Sequence, residues 1–116
     1  MKKRLLSPLL CVTDEGRRVY EFQVVINKRR ITEIHIDPHY EKEHGSYMND
    51  GIIYRLAQQL NQREFEIEDK KGDFEYFVVK RVLLGKKNYK LVCCLEVGQN
   101  YLGIIDAYRY SKYDKE

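Results

Sequence analysis

Three histidines are the side chains of this sequence best suited to acid–base chemistry near neutral pH: His35, His39 and His44. His39 and His44 flank Glu41 and Glu43 in a polar segment, so either imidazole could take up or release a proton. Their spacing does not match the H-E-x-x-H helix pattern of zinc enzymes, and we predict no metal site. The alternative for each histidine is an ordinary loop residue without a catalytic role.

A later stretch of the sequence is strongly basic. The segment from Glu64 to Glu75 is mostly acidic, but the segment from Lys80 to Lys90 contains no acidic residue. Its basic residues are Lys80, Arg81, Lys86, Lys87 and Lys90. This pattern is typical either of a solvated hairpin or of a ridge that binds the phosphates of a nucleic acid.

Several common catalytic frameworks do not occur in the sequence. It has no glycine-rich phosphate loop after a strand, no G-x-S-x-G turn and no zinc-binding cysteine spacing. Cleavage of RNA by its own 2′-hydroxyl remains possible without a metal or a cofactor. That reaction needs a base, cationic groups around the phosphate and an acid for the leaving oxygen, and His, Arg, Lys and Tyr can supply all of them.

Composition indicates one globular domain spanning residues 1–116, with 43% hydrophobic and 34% charged residues. The formal net charge of +3 permits a polyanionic partner without requiring one. The sequence has an odd number of cysteines, and two of the three are adjacent: Cys11, Cys93 and Cys94. This pattern does not suit disulfide bonds, so we interpret the cysteines as small core residues of a reduced, cytoplasmic protein. No stretch is long and apolar enough to span a membrane.

The elements that would position these residues form an α+β fold. The runs FEYFVVKRVLL, YKLVCCLEV and YLGIIDAYRY, separated by GKKN and GQN, predict a C-terminal antiparallel meander. Three shorter alternating runs within residues 9–36 predict an N-terminal meander. One main helix, at about residues 50–62, should pack on the resulting antiparallel sheet. Its apolar stripe consists of Ile52, Ile53, Leu56 and Leu60.

The two loops of the C-terminal meander also predict a strand register. A loop over 85–88 places Leu84 opposite Tyr89, and a loop over 98–100 places Lys90 opposite Tyr108. One face then carries Tyr89, Leu91, Cys93, Leu95 and Val97, and the other gathers Arg81, Lys90, Asp106 and Tyr108. This polar set is either a functional cluster or a group of ordinary cross-strand charge pairs. Either Lys80 or Arg81 should point toward the helix unless a bulge or a carboxylate intervenes.

The last strand and the order of elements carry a resemblance to a known family. A helix followed by a meander that closes on Gly103–Arg109 (GIIDAYR) is similar to the barnase–EndoU–colicin–RelE superfamily of metal-independent ribonucleases. Many of its toxin members end in a strand of the form Gly, two apolar residues, Thr, Ala and Tyr. Ala107 and Tyr108 match this form, whereas Asp106 stands where Thr or Ser is usual. The similarity covers roughly residues 35–110.

The resemblance implies roles for particular residues. His39 or His44 would be the general base, and Tyr108 would orient the phosphate or protonate the leaving group. One of three basic residues would stabilise the transition state: Lys80, Arg81 or Arg109. The protein would then be a toxin-type endoribonuclease whose partners are RNA and a cognate antitoxin or immunity protein.

Two other functions fit the sequence. One is a non-catalytic protein-binding module, such as an immunity, antitoxin or phage protein, that uses an exposed sheet face or edge. The other is nucleic-acid binding without cleavage, through the ridge from Lys80 to Lys90 and a stacking surface of tyrosines. A nuclease should lose activity when its histidines are replaced, whereas a protein-binding module should tolerate the change.

Overall fold

The computed structural model describes residues 8–110, which form seven strands and two short helices. In chain order these are β1 (Leu9–Val12), β2 (Arg18–Ile26), β3 (Arg29–Ile36), α1 (Tyr40–His44), α2 (Asp50–Gln58), β4 (Asp69–Lys71), β5 (Phe74–Leu84), β6 (Lys87–Glu96) and β7 (Tyr101–Arg109). The α+β class agrees with the sequence-based prediction. Neither helix of this part of the chain has the length and apolar character that crossing a membrane requires.

All seven strands belong to one mixed sheet, in the order β1-β2-β3-β7-β6-β5-β4. Neighbours pair antiparallel except β3 and β7, which run parallel with Ile34 opposite Leu102. The prediction of a wholly antiparallel sheet is therefore wrong at this junction. Two helices and three strands separate β3 from β7 in the chain, so no tight turn fixes their relative direction.

The prediction of one main helix at about 50–62 is also wrong in detail. The helix α2 begins at Asp50 because the Asn49 side chain accepts the Ile52 N–H at 2.9 Å and caps it. It ends at Gln58, and the chain leaves by tighter turns up to Gln62, whose φ of 68° lies in the left-handed region. The second helix, α1, occupies a segment that the sequence indicated only as polar.

One face of the sheet is covered by the helices and forms the core. Ile53, Leu56 and Leu60 of the predicted stripe are fully buried there, and Phe22 packs edge-on against Tyr54 of α2 at 5.2 Å between ring centroids. Burying a large aliphatic side chain contributes about 1.5–3 kcal/mol, so packing rather than helix propensity holds this short helix. The opposite face, which we call the open face, carries polar and aromatic side chains.

Asp50 fastens the start of α2 to the sheet and to α1. Its carboxylate accepts hydrogen bonds from Arg18 at 2.6 Å, from the Tyr20 hydroxyl at 2.6 Å and from the Tyr40 hydroxyl at 2.7 Å. Burial alone would raise the pKa of Asp50, but these hydrogen bonds outweigh it and leave that pKa below its usual value. Burial and the bond to Asp50 raise the pKa of Tyr20 to about 12.

The register of the β5–β6 hairpin differs from the prediction. Leu84 pairs with Lys87, and Val82 pairs with Tyr89, around a two-residue turn at Gly85. Gly85 has a φ of 63°, which glycine adopts without strain, so a shorter turn is accessible than the sequence suggested. On the predicted apolar face of β6, the residues from Tyr89 to Leu95 are buried, but Val97 lies beyond the strand and is 46% exposed.

The bulge that the sequence analysis allowed for is present in β5. The pairing with β6 shifts between Val79 and Val82, and Arg81 has a left-handed φ of 63°. Both Lys80 and Arg81 are consequently exposed, and neither is forced into the core. The predicted pairing of Lys90 with Tyr108 is confirmed.

Candidate functional site

The candidate site lies where β7 extends beyond its parallel partner. Pairing between β3 and β7 ends at Ile36 opposite Ile104, and the Asp37 N–H then donates to the Ile104 carbonyl at 3.0 Å. After the turn at Pro38 the chain forms α1, which packs against β7. The last residue of α1, His44, thereby reaches the last residues of β7.

His44 is held on two sides. Its imidazole stacks on the ring of Tyr108, with 5.0 Å between centroids and 22° between planes. Its Nδ1 lies 2.8 Å from the hydroxyl oxygen of Tyr47, and its Nε2 lies 3.8 Å from a carboxylate oxygen of Glu43. The His44 side chain remains 20% exposed, so the ring is both oriented and accessible.

Tyr47 connects this histidine to the end of β7. Its hydroxyl oxygen accepts the Arg109 N–H at 3.2 Å, and the Arg109 guanidinium carbon lies 4.4 Å from the centroid of the Tyr47 ring. The sequence analysis did not select Tyr47. Its position three residues after His44 is a spacing that brings side chains together in a helical turn, and this spacing could have identified it.

Two more cations lie on the same side of the sheet. The Lys90 Nζ is 5.8 Å from the ring centroids of both Tyr108 and Tyr110, and the Arg81 guanidinium carbon is 5.9 Å from that of Tyr110. Cations at these distances are attracted to the faces of aromatic rings. We call the whole set the basic aromatic patch: His44, Tyr47, Arg81, Lys90, Tyr108, Arg109 and Tyr110.

The remaining predicted nucleic-acid-binding residues extend the patch along the β5–β6 hairpin. Lys80 lies next to Arg81 in the bulge, Lys86 is in the turn and Lys87 begins β6, and all three side chains are exposed. The Tyr110 N–H donates to the carbonyl of Asn88 at 2.8 Å, which joins this hairpin to the end of β7. These residues add exposed positive charges at the hairpin beside the patch.

His39 lies elsewhere. It precedes α1, its backbone N–H donates to Asp37 at 2.9 Å, and it lines a separate cavity of about 430 Å³ with Pro38 and Lys42. Of the two histidines that the sequence analysis could not separate, the structure brings only His44 to the patch. His39 precedes α1 and His44 ends it, so the helix separates the two side chains.

The two cysteines of β6 offer no accessible nucleophile. All three carry free thiols, and Cys93 and Cys94 are buried as expected. Burial raises the pKa of the Cys93 thiol, so it stays protonated. Cys11 is exposed on β1, and the prediction that it is a core residue is wrong because β1 is an edge strand with outward-facing side chains.

Comparison of the chain with protein-family models, with curated proteins and with solved structures finds no match. Within residues 8–110, no group of three or more His, Cys, Asp or Glu side chains is arranged to hold a metal ion. The chemistry of the basic aromatic patch must therefore be argued from its own geometry. An oriented imidazole, three permanent cations and three tyrosines are its chemical resources.

Proposed function

We propose that this chain is a small metal-independent endoribonuclease of the toxin type. It would cleave RNA by attack of a 2′-hydroxyl on the adjacent phosphate. The supporting observation is the placement of His44, which is held between Tyr47 and Tyr108 beside Lys90 and Arg109. The cytoplasm is the proposed site of action, with RNA as substrate and a cognate antitoxin or immunity protein as the inhibitory partner.

His44 acts as the general base through Nε2. For this role its Nδ1 carries the proton and donates to the Tyr47 hydroxyl oxygen at 2.8 Å. The same oxygen accepts the N–H of Arg109, so its two lone pairs are used and its own hydrogen stays free to point outward. Tyr47 thus fixes the tautomer and orientation of His44, as a positioning residue.

The cations act on the phosphate. As the 2′-oxygen bonds to phosphorus, negative charge grows on the two non-bridging oxygens. Lys90 lies over the ring of Tyr108, and Arg109 lies over the ring of Tyr47. Both cations can therefore lie close to this charge. Preorganised cations at such a position stabilise the transition state more than the substrate.

The leaving group needs a proton when the bond from phosphorus to the 5′-oxygen breaks. The Tyr108 hydroxyl can supply this proton, because it belongs to the ring that stacks on His44 and faces Lys90. The products are a 2′,3′-cyclic phosphate and a 5′-hydroxyl. The proton gained by His44 then returns to Tyr108 through solvent, so no net proton is consumed.

The test compares two histidine variants that differ mainly in location. Wild type, His44→Ala and His39→Ala are incubated with a single-stranded RNA in EDTA, and product ends are analysed. We expect cleavage with cyclic phosphate ends by wild type and by His39→Ala, and at least about a hundredfold slower cleavage by His44→Ala. Equal rates for the two variants, or no cleavage by wild type at micromolar concentration, would contradict the proposal.

A non-catalytic protein-binding module is the second candidate, and β1 is the observation that favours it. Leu9, Leu10 and Val12 are about half exposed there, and β1 has no outer strand neighbour among residues 8–110. An exposed apolar edge can pair with a strand of another protein. If expression of the wild type arrests growth and expression of His44→Ala does not, the ribonuclease is favoured. If neither the wild type nor His44→Ala affects growth, the binding module is favoured.

A further inference from the structure

We infer that the open face of the sheet carries a second binding site, which recognises an alkylguanidinium group. The site is a cavity of about 510 Å³ near the start of β7, within the size range of ligand pockets. Tyr101 lines it and is seven residues from Tyr108, or roughly 23 Å along an extended strand. This site therefore lies at the other end of β7 from the basic aromatic patch, and it does not depend on the proposed ribonuclease activity.

A row of residues across four strands explains why the sheet has a depression here. Tyr76 of β5 pairs with Cys94 of β6, Cys94 pairs with Gly103 of β7, and Gly103 pairs with His35 of β3. Large rings thus stand at both ends of the row, roughly 14 Å apart, with two small residues between them. The rings form the walls of a groove, and the two small residues between them are buried.

Gly103 packs closely against Cys94, beside the wall that Tyr101 forms. A Cβ at this position would approach the Cys94 Sγ to 2.7 Å and the Tyr101 ring to 3.6 Å. The Tyr101 ring stacks on the His35 ring with 3.9 Å between centroids and 6° between planes. The nearby Phe74 and Tyr76 rings, 6.5 Å apart, add apolar surface on the opposite side.

The two carboxylates that line this groove outnumber its one guanidinium, although the chain as a whole carries a net charge of +3. Glu15 of the β1–β2 turn and Glu96 at the end of β6 both line it. Arg17 also lines it, but its guanidinium is paired with Asp37 at 3.2 Å. We call this site the acidic aromatic groove and define it by His35, Phe74, Tyr76, Tyr101, Glu15 and Glu96.

These features together select a planar cation. Aromatic faces attract a cation, and carboxylates bind it by charge-assisted hydrogen bonds. A guanidinium does both at once because it is flat and presents a fork of N–H donors, whereas an alkylammonium stacks poorly. An anion would be repelled by Glu15 and Glu96, and a neutral ligand would gain only uncharged-donor hydrogen bonds from them, which are weaker than those of a cation.

The guanidinium could belong to a small molecule or to an arginine side chain of another protein. Isothermal titration calorimetry with N-acetyl-arginine amide, with its citrulline counterpart and with the peptide Gly-Gly-Arg-Gly-Gly tests both sources. Citrulline replaces the guanidinium by a neutral urea of nearly the same shape. We expect the arginine derivative to bind at least about tenfold more tightly than the citrulline derivative.

Variants then locate the site. Glu15→Gln combined with Glu96→Gln should weaken binding at least about tenfold, and glutamine at 96 still offers an oxygen to the Tyr101 hydroxyl that donates to Glu96 at 2.6 Å. Glu43→Gln, on α1 and outside the groove, is the matched control and should bind as wild type does. Tighter binding of the peptide than of the free derivative identifies a protein side chain as the ligand, and the reverse identifies a small molecule.

Three results would overturn the inference. They are equal affinity for the arginine and citrulline derivatives, unchanged affinity in the double variant, and the absence of saturable binding by any of the three ligands at millimolar concentration. Because the readout is binding and not RNA cleavage, failure here is distinguishable from failure of the proposed function. Circular dichroism of each variant establishes that a loss of binding does not reflect unfolding.

Discussion

The imidazole of His44 lies against the ring of Tyr108, with centroids 5.0 Å apart, although 64 residues separate them in the chain. The contact depends on the parallel pairing of β3 with β7, because that pairing ends early and leaves space for α1 beside β7. The single parallel pair of the described sheet is thus also the reason that His44 reaches the basic residues.

Replacing Tyr47 by Phe should separate positioning from substrate binding. The variant keeps the ring under Arg109 but removes the oxygen that lies 2.8 Å from His44 Nδ1. We expect kcat for RNA cleavage to fall about 10- to 100-fold with little change in KM, because the loss affects the base and not the phosphate contacts. The pH profile of kcat should also shift, which a purely structural role would not produce. A proportional rise in KM instead would show that Tyr47 contacts the substrate.

The lysines of the β5–β6 hairpin should govern the salt dependence of RNA binding. In the double variant Lys86→Gln with Lys87→Gln, the slope of the logarithm of the RNA-binding constant against the logarithm of salt concentration should become smaller in magnitude by about 1.4 for single-stranded RNA, if each lysine contacts one phosphate. Lys70→Gln with Lys71→Gln is the matched control, because those exposed lysines lie at the opposite end of β5. Fluorescence anisotropy across a salt series measures both slopes, and identical slopes for the two pairs would exclude the hairpin from the RNA interface.

Much of the sheet was predictable because strand residues follow local rules. The alternation in β2 and the apolar face of β6 reflect burial on one side. The predicted pairing of Lys90 with Tyr108 is present, but next to the G-Q-N loop the register differs by one residue from the prediction, and a bulge between Val92 and Cys93 restores it. The parallel junction was not predictable, since β3 and β7 are distant in sequence and turn signals specify only neighbouring strands. The helix α1 has only five residues, too few for a periodic pattern.

The same limits apply to the candidate site. Residue types and register pointed to Arg81, Lys90 and Tyr108 because they lie within one local hairpin system. The choice between His39 and His44 depends on where α1 lies against β7, which no local pattern encodes. The acidic aromatic groove was missed for a related reason: its row of four residues draws on strands that only the assembled sheet brings together.

Asp50 should be a principal source of stability that depends on pH. Its pKa is lowered in the folded protein, so its contribution is present above its unfolded pKa of about 3.9 and is lost as pH falls through the lower folded value. Asp50→Asn should cost about 2 kcal/mol at pH 7, because it weakens the bonds from Arg18, Tyr20 and Tyr40. Urea denaturation at several pH values measures this difference.

That difference between wild type and Asp50→Asn should shrink as pH falls below about 3.9, because the carboxylate of the unfolded chain is protonated first and that of the folded protein only at its lower pKa. Asp14→Asn, in the exposed turn after β1, is the matched control and should stay within about 0.5 kcal/mol of wild type. A constant difference from neutral to strongly acidic pH would mean that the charge of Asp50 does not contribute and that only its shape matters.

Gly103 should be sensitive to a single added methyl group. In Gly103→Ala the new Cβ would lie 2.7 Å from the Cys94 Sγ, closer than two such atoms tolerate, and the buried sulfur has little space to move. We expect a loss of about 1–3 kcal/mol of stability from this overpacking.

A second substitution tests whether the clash with Cys94 is the cause. Cys94→Ala removes the sulfur, so the double variant Gly103→Ala with Cys94→Ala should be more stable than the sum of the two single effects predicts, by about 1 kcal/mol. Thermal and urea denaturation of the four proteins completes the double-mutant cycle. Additive effects would show that Gly103 is required for its backbone alone. A positive coupling would show instead that the small residues at 94 and 103 are matched to each other in size.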